Sequence, residues 1–336
     1  MTFANLPSDL EDAITKILQQ QDSQQWLHHA QSLHERYVEG KNDKGRFLQD
    51  FDDVLAYLGM RVPATYAQIL SALTAIQELI PSWKPKSLLD IGSGPGTAGW
   101  AVTAVWPDLS DIVSLDHDRD LISLGKQIST KAEIPAEMVW KNHDLREGLH
   151  HNDRQYDLVI IANVLNELSP SVREKIIGQA YNKCKGILVI IEPGTPQGSQ
   201  IIESAAQNLS KVGLLLAPYI ANSFVQTDDY YLHFPQRFIR PEFQRRVRQQ
   251  MRDDASKASD WEDAKYAYVV ISKIPTESHA WGRCVGPIET QKGFLKVPIL
   301  TASGVTKVKV MKRNRENYSF AKRLRWGDLV EKNIGE

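Results

Sequence analysis

The stretch LLDIGSGPGTAGWA at residues 88–101 decides how the rest of the chain is interpreted. It begins as an apolar strand that contains Asp90 and becomes helical from Thr97. Three glycines lie between them at alternate positions, namely Gly92, Gly94 and Gly96. Glycines at this spacing predict a tight loop whose backbone approaches a ligand closely, because a Cβ atom would obstruct the approach. With Gly99 the loop also satisfies G-x-G-x-x-G, which by itself is a weak signal for a dinucleotide.

Outward from this loop, short apolar runs alternate with helical stretches. The runs are SLLDIG, DIVSLDHD, EMVWKNHD, YDLVIIANVL and GILVIIEPG. Runs rich in Val, Ile and Leu that are separated by helical crossovers are typical of a parallel sheet. We therefore predict an α/β fold with a Rossmann-like sheet, in which ligands bind beyond the carboxyl ends of the strands.

The regions on either side of the predicted sheet have a different pattern. From about residue 8 to residue 80, apolar residues recur three and four positions apart, which predicts helices, and Pro81 ends that pattern. Toward the C-terminus, short strands with glycine turns lead into a basic, aromatic tail. The predicted domains are an N-terminal helical domain at 1–82, a cofactor-binding domain at 83–275 and a small, basic, β-rich extension at 276–336.

Acidic residues recur at the ends of the first three predicted strands. Asp90 lies in the first, Asp116 ends the second, and Asp144 follows the third. An acid about 20 residues after the glycine loop accepts hydrogen bonds from ribose hydroxyls in nucleotide-cofactor sites. The predicted cofactor-binding residues are Asp90, Gly92, Ser93, Gly94, Pro95, Gly96, Thr97, Asp116, His117, Asp144, Leu145 and Asn163.

The charge of these acids distinguishes two classes of cofactor. Asp-x-Gly-x-Gly-x-Gly at 90–96 resembles the first motif of class I S-adenosylmethionine-dependent methyltransferases, in which the acid faces the methionine part of the cofactor. Carboxylates stabilise a sulfonium cation, whereas they repel the pyrophosphate of a dinucleotide. We therefore expect S-adenosylmethionine, with NAD or another nucleotide as the alternative.

The fourth and fifth strands bring further polar residues to the same edge, where methyl acceptors lie in this fold. The fourth delivers Asn163, Asn166 and Glu167, and the fifth delivers Glu192. Asn166 and Glu167 are the candidate catalytic residues. Glu167 would act as a base if burial raises its pKa; the alternative is a helix-start acid stabilised by the backbone dipole.

Two absences narrow the chemistry of the methyl acceptor. The fourth strand is not followed by Asn or Asp with Pro-Pro and an aromatic residue, the element that grips an exocyclic base nitrogen. The same loop has no cysteine, and Cys184 precedes the fifth strand, so a covalent adduct for cytosine C5 methylation is not expected. Direct transfer to a nitrogen or oxygen remains.

The chain has 336 residues and a formal net charge of −1, but its charges are unevenly distributed. Residues 1–236 carry 19 basic and 29 acidic side chains, whereas residues 237–336 carry 21 basic and 12 acidic ones. The basic part indicates a polyanionic partner, with a solvated basic face as the alternative. The sequence shows neither a signal peptide nor a membrane span, and its two cysteines suit a reducing compartment, so we expect a cytoplasmic protein without a membrane partner.

Two segments of the basic part interleave Arg and Lys with aromatic residues. The first basic segment is QRFIRPEFQRRVRQQMR at 236–252, and the second basic segment is KVKVMKRNRENYSFAKRLRW at 307–326. This mixture suits phosphate contacts together with base stacking. The predicted RNA-binding residues are Arg237, Arg240, Arg245, Lys307, Lys309, Lys312, Arg313, Arg315, Lys322, Arg323 and Arg325.

Several motifs in a fixed order resemble one family. They are LGMRVPATYAQIL, LLDIGSGPGTAGWA, YDLVIIANVLNELSP, IIEPGTPQG, YYLHFPQRF, KYAYVVISK and RLRWGDLV. Together they resemble the methyltransferase-like family of mitochondrial small-ribosomal-subunit assembly factors and their bacterial relatives. The resemblance implies a class I methyltransferase fold, binding of small-subunit ribosomal RNA or the small ribosomal subunit, and a role in assembly or translation, in a protein that we expect to be a monomer. The alternatives are a non-catalytic RNA-binding assembly factor and a methyltransferase for a small molecule or protein.

The chain departs from this family at its cysteines. Many members carry cysteines that resemble iron–sulfur ligands, whereas here the corresponding positions are Tyr219, Leu232 and Leu300. His233 remains, but a histidine beside aromatic residues is more often packed than a ligand. We therefore expect no metal, neither an iron–sulfur cluster nor zinc.

Overall fold

The computed structural model describes residues 3–20, 29–30, 32–33, 48–132, 134, 136–149, 153–226, 231–250, 259–275 and 280–335. Its helices are α1 (Ser8–Gln19), α2 (Phe51–Met60), α3 (Val62–Leu79), α4 (Thr97–Val105), α5 (Arg119–Lys131), α6 (Pro170–Lys183), α7 (Pro196–Leu209), α8 (Glu242–Gln250) and α9 (Arg315–Arg323). The strands of the main sheet are β1 (Ser87–Ile91), β2 (Asp111–Asp116), β3 (Glu137–Asn142), β4 (Tyr156–Ala162), β5 (Cys184–Pro193), β6 (Leu214–Ala217), β7 (Phe234–Ile239) and β8 (Trp261–Ser272). The second sheet contains β9 (Gly282–Cys284), β10 (Glu289–Gln291), β11 (Phe294–Thr301), β12 (Gly304–Met311) and β13 (Leu329–Val330).

The main sheet has the strand order β3-β2-β1-β4-β5-β8-β6, and β7 also pairs with β8. Strands β1 to β5 are parallel, whereas β8 runs antiparallel to β5, β6 and β7. The central strands β4 and β5 are buried along most of their length, as expected for parallel strands covered on both faces, and this explains their continuous apolar runs. The predicted α/β class with a Rossmann-like, class I methyltransferase sheet is confirmed.

The register of the sheet places the predicted site residues at one edge. Ile91 at the end of β1 pairs with Leu115 of β2 and with Ile161 of β4. The glycine loop, Asp116 and Asn163 therefore leave the sheet side by side. Such an edge is where parallel α/β sheets bind their ligands.

The N-terminal helices share one hydrophobic core with the main sheet. Leu10 and Ile14 of α1 and Leu55 of α2 belong to the same buried cluster as Leu88 of β1 and Ile190 of β5. Helix α3 packs against α4 and β8. The predicted boundaries at 1–82, 83–275 and 276–336 stay a prediction, and the first of them crosses this shared core.

The second sheet has the order β10-β11-β9-β13, with β12 paired to β11. Its own small core contains Cys284, Val297 and Val310, and α9 adds Ala321. None of the described helices is long and apolar enough to cross a membrane.

Candidate functional site

The glycine loop connects β1 to α4, and all three of its glycines have a positive φ, a conformation that favours glycine; φ is +71° at Gly92. The angle φ is +54° at Gly94 and +83° at Gly96. A Cβ on Gly96 would lie 2.6 Å from Cη2 of Trp140, so a side chain there would displace the tryptophan. The position of a Cβ on Gly94 meets nothing nearer than the hydroxyl oxygen of Tyr57, at 3.7 Å. The loop is therefore packed on the Gly96 side and open on the Gly94 side.

A cavity of about 460 Å³ lies at this open side. Glycine-loop residues, the ends of β2 and β4, the start of α5 and helix α2 contribute to its walls. The predicted cofactor residues that line it are Gly92, Gly94, Asp116, His117, Asp144, Leu145 and Asn163. The predicted cofactor residues outside its lining are Asp90, Ser93, Pro95, Gly96 and Thr97.

Asp116, at the end of β2, joins the glycine loop to the start of α5. The backbone N–H of Gly94 donates to its Oδ2 at 2.7 Å, and that of Asp118 donates to its Oδ1 at 2.9 Å. Burial raises the pKa of Asp116, although these two hydrogen bonds act in the opposite direction. Since each carboxylate oxygen accepts more than one hydrogen bond, Asp116 retains capacity for a ligand.

Two further carboxyl groups are buried behind the cavity without lining it. Asp90 and Glu192 are 2% and 0% exposed. Burial raises the pKa of Asp90 to about 8, with repulsion from Asp116 adding to the shift, and burial raises the pKa of Glu192 to about 7. Glu192 Oε1 accepts the backbone N–H of Leu165 at 2.9 Å, whereas Asp90 Oδ2 and Glu192 Oε2 have no partner in the described part of the chain. Because neither residue lines the cavity, these carboxyl groups act on a ligand through their charge when they are ionised and not by direct contact.

The two predicted catalytic residues belong to the 3₁₀ turn Leu165–Glu167 after β4. Glu167 lines the mouth of the cavity and is exposed as a residue. Crowding of its carboxyl group by protein atoms raises the pKa of Glu167 to about 8, helped by the charges of Asp116 and Glu192, while solvent at the mouth screens this shift. Asn166 is not part of the cavity lining, which argues against substrate contact. Its Oδ1 is buried without a partner among the described residues.

Asn163 follows β4 in the left-handed conformation, with φ +56°, which asparagine tolerates better than most residues. Its backbone N–H donates to the carbonyl oxygen of Ile191 at 2.9 Å. Its Nδ2 donates to Oε1 of Gln68 at 2.9 Å, whereas its Oδ1 has no partner among the described residues. Helix α3 thus reaches the cavity wall through Gln68.

Asp144 forms a close ion pair with Arg146. The Nε of Arg146 lies 2.9 Å from both carboxylate oxygens of Asp144. These charge-assisted hydrogen bonds lower the pKa of Asp144 to about 2. The carboxylate is therefore ionised at neutral pH, and its contact with the adenine amino group stays a prediction.

Several cavity residues were not found from the sequence. Tyr57 of α2 and Leu48 line the cavity, and Gln68 of α3 supports Asn163. These three residues lie in an ordinary helical pattern far from the glycine loop, so no local signal marked them. Asp118 also lines the cavity, and it could have been found from the run LDHD that ends β2.

The first basic segment lies on β7 and α8 beside the acids of β8. Arg237 is opposite Asp263 in the register and donates to its two carboxylate oxygens at 2.8 and 2.9 Å. The guanidinium carbon of Arg237 also lies 3.5 Å from the ring centroid of Trp261. Arg237 is therefore held by two neighbours on β8.

The other two predicted RNA-binding arginines of this segment also have acidic neighbours. Arg240 is buried, and its Nε donates to Oε2 of Glu262 at 3.1 Å. Arg245 lies 4.0 Å from Asp260. The burial of Arg240 argues against its predicted contact with RNA.

The second basic segment follows β12 and α9. On β12, exposed Lys307 and Lys309 alternate with buried Val308 and Val310. Lys307 pairs with Glu289 at 3.4 Å. The remaining predicted RNA-binding residues are exposed as well: Lys312, Arg313, Arg315, Lys322, Arg323 and Arg325. The second sheet and α9, here called the C-terminal unit, thus carry eight exposed basic side chains.

The positions where the family resemblance places thiolates hold core side chains instead. Tyr219, Leu232 and Leu300 are buried in the main hydrophobic cluster. His233 stacks on Tyr231 with ring centroids 4.6 Å apart and meets Trp326 edge-on at 4.8 Å. Burial lowers the pKa of His233. These contacts suit a packed histidine, and the absence of a metal stays a prediction.

One group of possible metal ligands lies elsewhere among the described residues. His29, Asp50 and Asp52 place one ligand atom each within 4.8 Å of one another. His29 lies 3.0 Å from buried Asp53, and Asp50 caps α2 by accepting the backbone N–H of Asp53 at 2.9 Å. The positions of these three side chains are therefore explained by the N-terminal capping of α2 and its contact with His29.

Comparisons with known proteins agree with this architecture. The chain is 23% identical over 294 residues to the human mitochondrial ribosome assembly protein METTL17, covering 82% of this chain and 62% of that protein. It is 26% identical over 201 residues to the mitochondrial ribosome assembly protein RSM22 of Saccharomyces cerevisiae, covering 46% of this chain and 32% of that protein. The chain thus spans less than two thirds of the length of either relative.

Solved structures of methyltransferases are also similar to the chain. The candidate RNA methyltransferase PH1948 of Pyrococcus horikoshii is 12% identical, with 65% of this chain and 87% of that chain covered and a TM-score of 0.39. PKMT2 of Rickettsia typhi, solved in complex with AdoHcy, is 20% identical, with 44% and 29% covered and a TM-score of 0.31.

A family model also matches most of the chain. The model described as "Mitochondrial small ribosomal subunit Rsm22" matches residues 51–331, which include the glycine loop, the cavity and the second sheet. Because this match extends over most of the sequence, the chain belongs to the Rsm22 family.

Proposed function

We propose that the cavity binds S-adenosylmethionine and that the protein acts as a methyltransferase on small-subunit ribosomal RNA during assembly of the small subunit. The observation that carries the proposal is that Gly94, Asp116 and Asp144 line one cavity at the carboxyl edge of a parallel sheet. The names of the two ribosome assembly relatives support the assembly context. A cytoplasmic location and a monomeric state belong to the same proposal.

The residues around the cavity fit this cofactor. A Cβ on Gly94 would occupy space on the open side of the loop, so the glycine leaves room for a close ligand. Asp116 and Asp144 offer carboxylate oxygens as acceptors for ribose hydroxyls and the adenine amino group. S-adenosylmethionine supplies a methyl group on a cationic sulfur, and the surrounding acids favour such a cation.

Glu167 is the residue best suited to accept a proton from the methyl acceptor. It lines the mouth of the cavity, and its raised pKa brings it closer to neutral pH, where a general base works best. The expected acceptor is a nitrogen or oxygen, because the loop after β4 lacks the cysteine needed for a covalent adduct.

Calorimetry with S-adenosylmethionine tests the cavity. We expect wild type to bind and Asp116→Ala to bind at least about tenfold more weakly, because the variant loses an acceptor and loosens Gly94. Asp111→Ala is a matched control, since Asp111 begins the same strand at the opposite edge of the sheet, where it pairs with Arg154. Absence of binding by the wild-type protein would rule out the cofactor.

A non-catalytic assembly factor with a retained cofactor cavity is the second candidate. It is favoured by Asn166, since one of the two predicted catalytic residues does not line the cavity. Maps of ribosomal RNA modification in cells with and without the protein separate the two functions. A missing methyl group supports the enzyme, whereas an identical map with defective small subunits supports the assembly factor.

A further inference from the structure

A chain of hydrogen bonds runs from the backbone of β8 to the cavity through two side-chain amides. The carbonyl oxygen of Lys265 accepts the backbone N–H of Gly194 at 3.0 Å and Nε2 of Gln68 at 2.9 Å. Oε1 of Gln68 in turn accepts Nδ2 of Asn163 at 2.9 Å. Gln68 is only 3% exposed, so water does not compete for these bonds.

The carbonyl oxygen of Lys265 determines which atom donates and which accepts in each hydrogen bond of this series. A carbonyl oxygen can only accept, so Gln68 turns its NH₂ group toward Lys265 and its oxygen toward Asn163. Asn163 must then turn its own NH₂ group toward Gln68, and the same nitrogen also lies 3.5 Å from Oγ1 of Thr65. Oδ1 of Asn163 therefore points away from both residues as an acceptor. That oxygen is buried and has no partner in the described part of the chain, although the side chain lines the cavity. A buried acceptor without a donor is costly, so this position is suited to a ligand that donates.

The neighbouring charges select the kind of donor. Strand β4, which leads to Asn163, lies between β1 and β5 in the sheet. These flanking strands carry the buried carboxyl groups of Asp90 and Glu192. Their raised pKa values leave Asp90 largely and Glu192 partly protonated at neutral pH. A nearby cation favours the ionised forms of both groups, so a cationic donor gains an attraction that a neutral donor lacks at this point of the cavity edge. Asp116, the predicted acceptor for ribose hydroxyls, lies one strand further away, at the end of β2.

We infer that Oδ1 of Asn163 accepts a hydrogen bond from the amino group of the cofactor's methionine part, and that Gln68 is the positioning residue that orients this oxygen. The inference rests on the proposed function, because it requires S-adenosylmethionine or its product in the cavity. It gives the N-terminal helix α3 a part in recognising the cofactor.

Two probes that differ by one group test this contact: S-adenosylhomocysteine and its deamino analogue, each titrated by calorimetry. Wild type should bind the amino-bearing ligand at least about tenfold more tightly, as expected for a hydrogen bond to a charged group. In Gln68→Met, Nδ2 of Asn163 loses its acceptor at 2.9 Å and keeps only the longer contact with Oγ1 of Thr65, so the preference should shrink to about threefold or less. Gln244→Met is the matched control, because Gln244 is equally buried and donates to Met60 O at 3.3 Å; it should keep the wild-type preference.

Asn163→Gly gives a second, independent measurement that does not depend on how well a Gln68 variant folds. Glycine accepts the positive φ of this position, so the change removes the oxygen without straining the backbone. It should abolish the preference. Equal affinities of wild type for both probes would overturn the role of Asn163, and an unchanged preference in folded Gln68→Met would overturn the role of Gln68. Failure of wild type to bind S-adenosylhomocysteine at all would instead overturn the proposed function on which both roles rest.

Discussion

The two basic segments have similar compositions but different surroundings. In the first, Arg237 and Arg240 pair with Asp263 and Glu262 of β8, and Arg240 is buried. In the second, eight basic side chains are exposed along β12 and α9. A basic segment of sequence therefore need not form a basic surface, because acids that are distant in sequence can neutralise its charges. The second segment is the better candidate for RNA, and the first contributes mainly to the fold.

The largest expected effect is on RNA affinity. Changing Lys309, Lys312 and Arg315 to Glu replaces three potential phosphate contacts with repulsion, so affinity for small-subunit ribosomal RNA should fall about 1000-fold at low salt. Filter binding over a salt series measures both the loss and the shallower salt dependence. An unchanged affinity would contradict the assignment of RNA binding to the second basic segment.

A change in the first segment should affect stability instead. Arg240→Met removes the Nε donor of Glu262, which keeps a contact with Arg248 at 3.6 Å, and it also removes a hydrogen bond to the carbonyl oxygen of Ser259. The free energy of unfolding should therefore fall by about 2 kcal/mol. Urea denaturation measures this fall, and RNA affinity should stay within about twofold of wild type if the variant is assayed folded. A large loss of RNA affinity in the folded variant would mean that Arg240 does serve a partner.

The contrast between buried and exposed charges also applies to acidic residues, and it predicts that the stability of the protein depends on pH. The pKa values of Asp90 and Glu192, about 8 and about 7, lie above those of an unfolded chain, so the folded state holds more protons between about pH 4 and pH 7. Their contribution to stability is therefore present at low pH and is lost as pH rises through this range. Between pH 5 and pH 7, wild type should lose about 2 kcal/mol more than Asp90→Asn does. Parallel slopes in urea denaturation would contradict this.

The smallest effect is expected at an exposed pair of the first basic segment. Arg246 pairs with Glu242 one helical turn away on α8, and both side chains are largely exposed. Arg246→Ala should therefore lower the free energy of unfolding by only about 0.3 kcal/mol. A loss above about 1 kcal/mol would contradict the small contribution expected of an exposed ion pair.

The sequence predicted those features whose signals are local. The apolar runs and the glycine loop gave the parallel sheet and its binding edge, because strand period and loop geometry depend on neighbouring residues. The contributions of Tyr57 and Gln68 could not be predicted, since nothing near them in sequence shows that α2 and α3 pack at the carboxyl edge. The pairing of Arg237 with Asp263 was missed for the same reason, because it depends on the register between β7 and β8.

Arg283 of β9 joins the second sheet to the rest of the chain. This buried side chain donates from Nε to the carbonyl oxygen of Pro218 at 3.0 Å and from a terminal nitrogen to that of Gly327 at 2.7 Å. Val285 and Leu300 of the same unit belong to the main hydrophobic cluster. Deleting the C-terminal unit would therefore strip apolar cover from the main sheet and leave a fragment prone to aggregation. The proposed cofactor binding and RNA binding are thus best tested by point substitutions in the intact chain, because residues of the second sheet share the hydrophobic core of the main sheet.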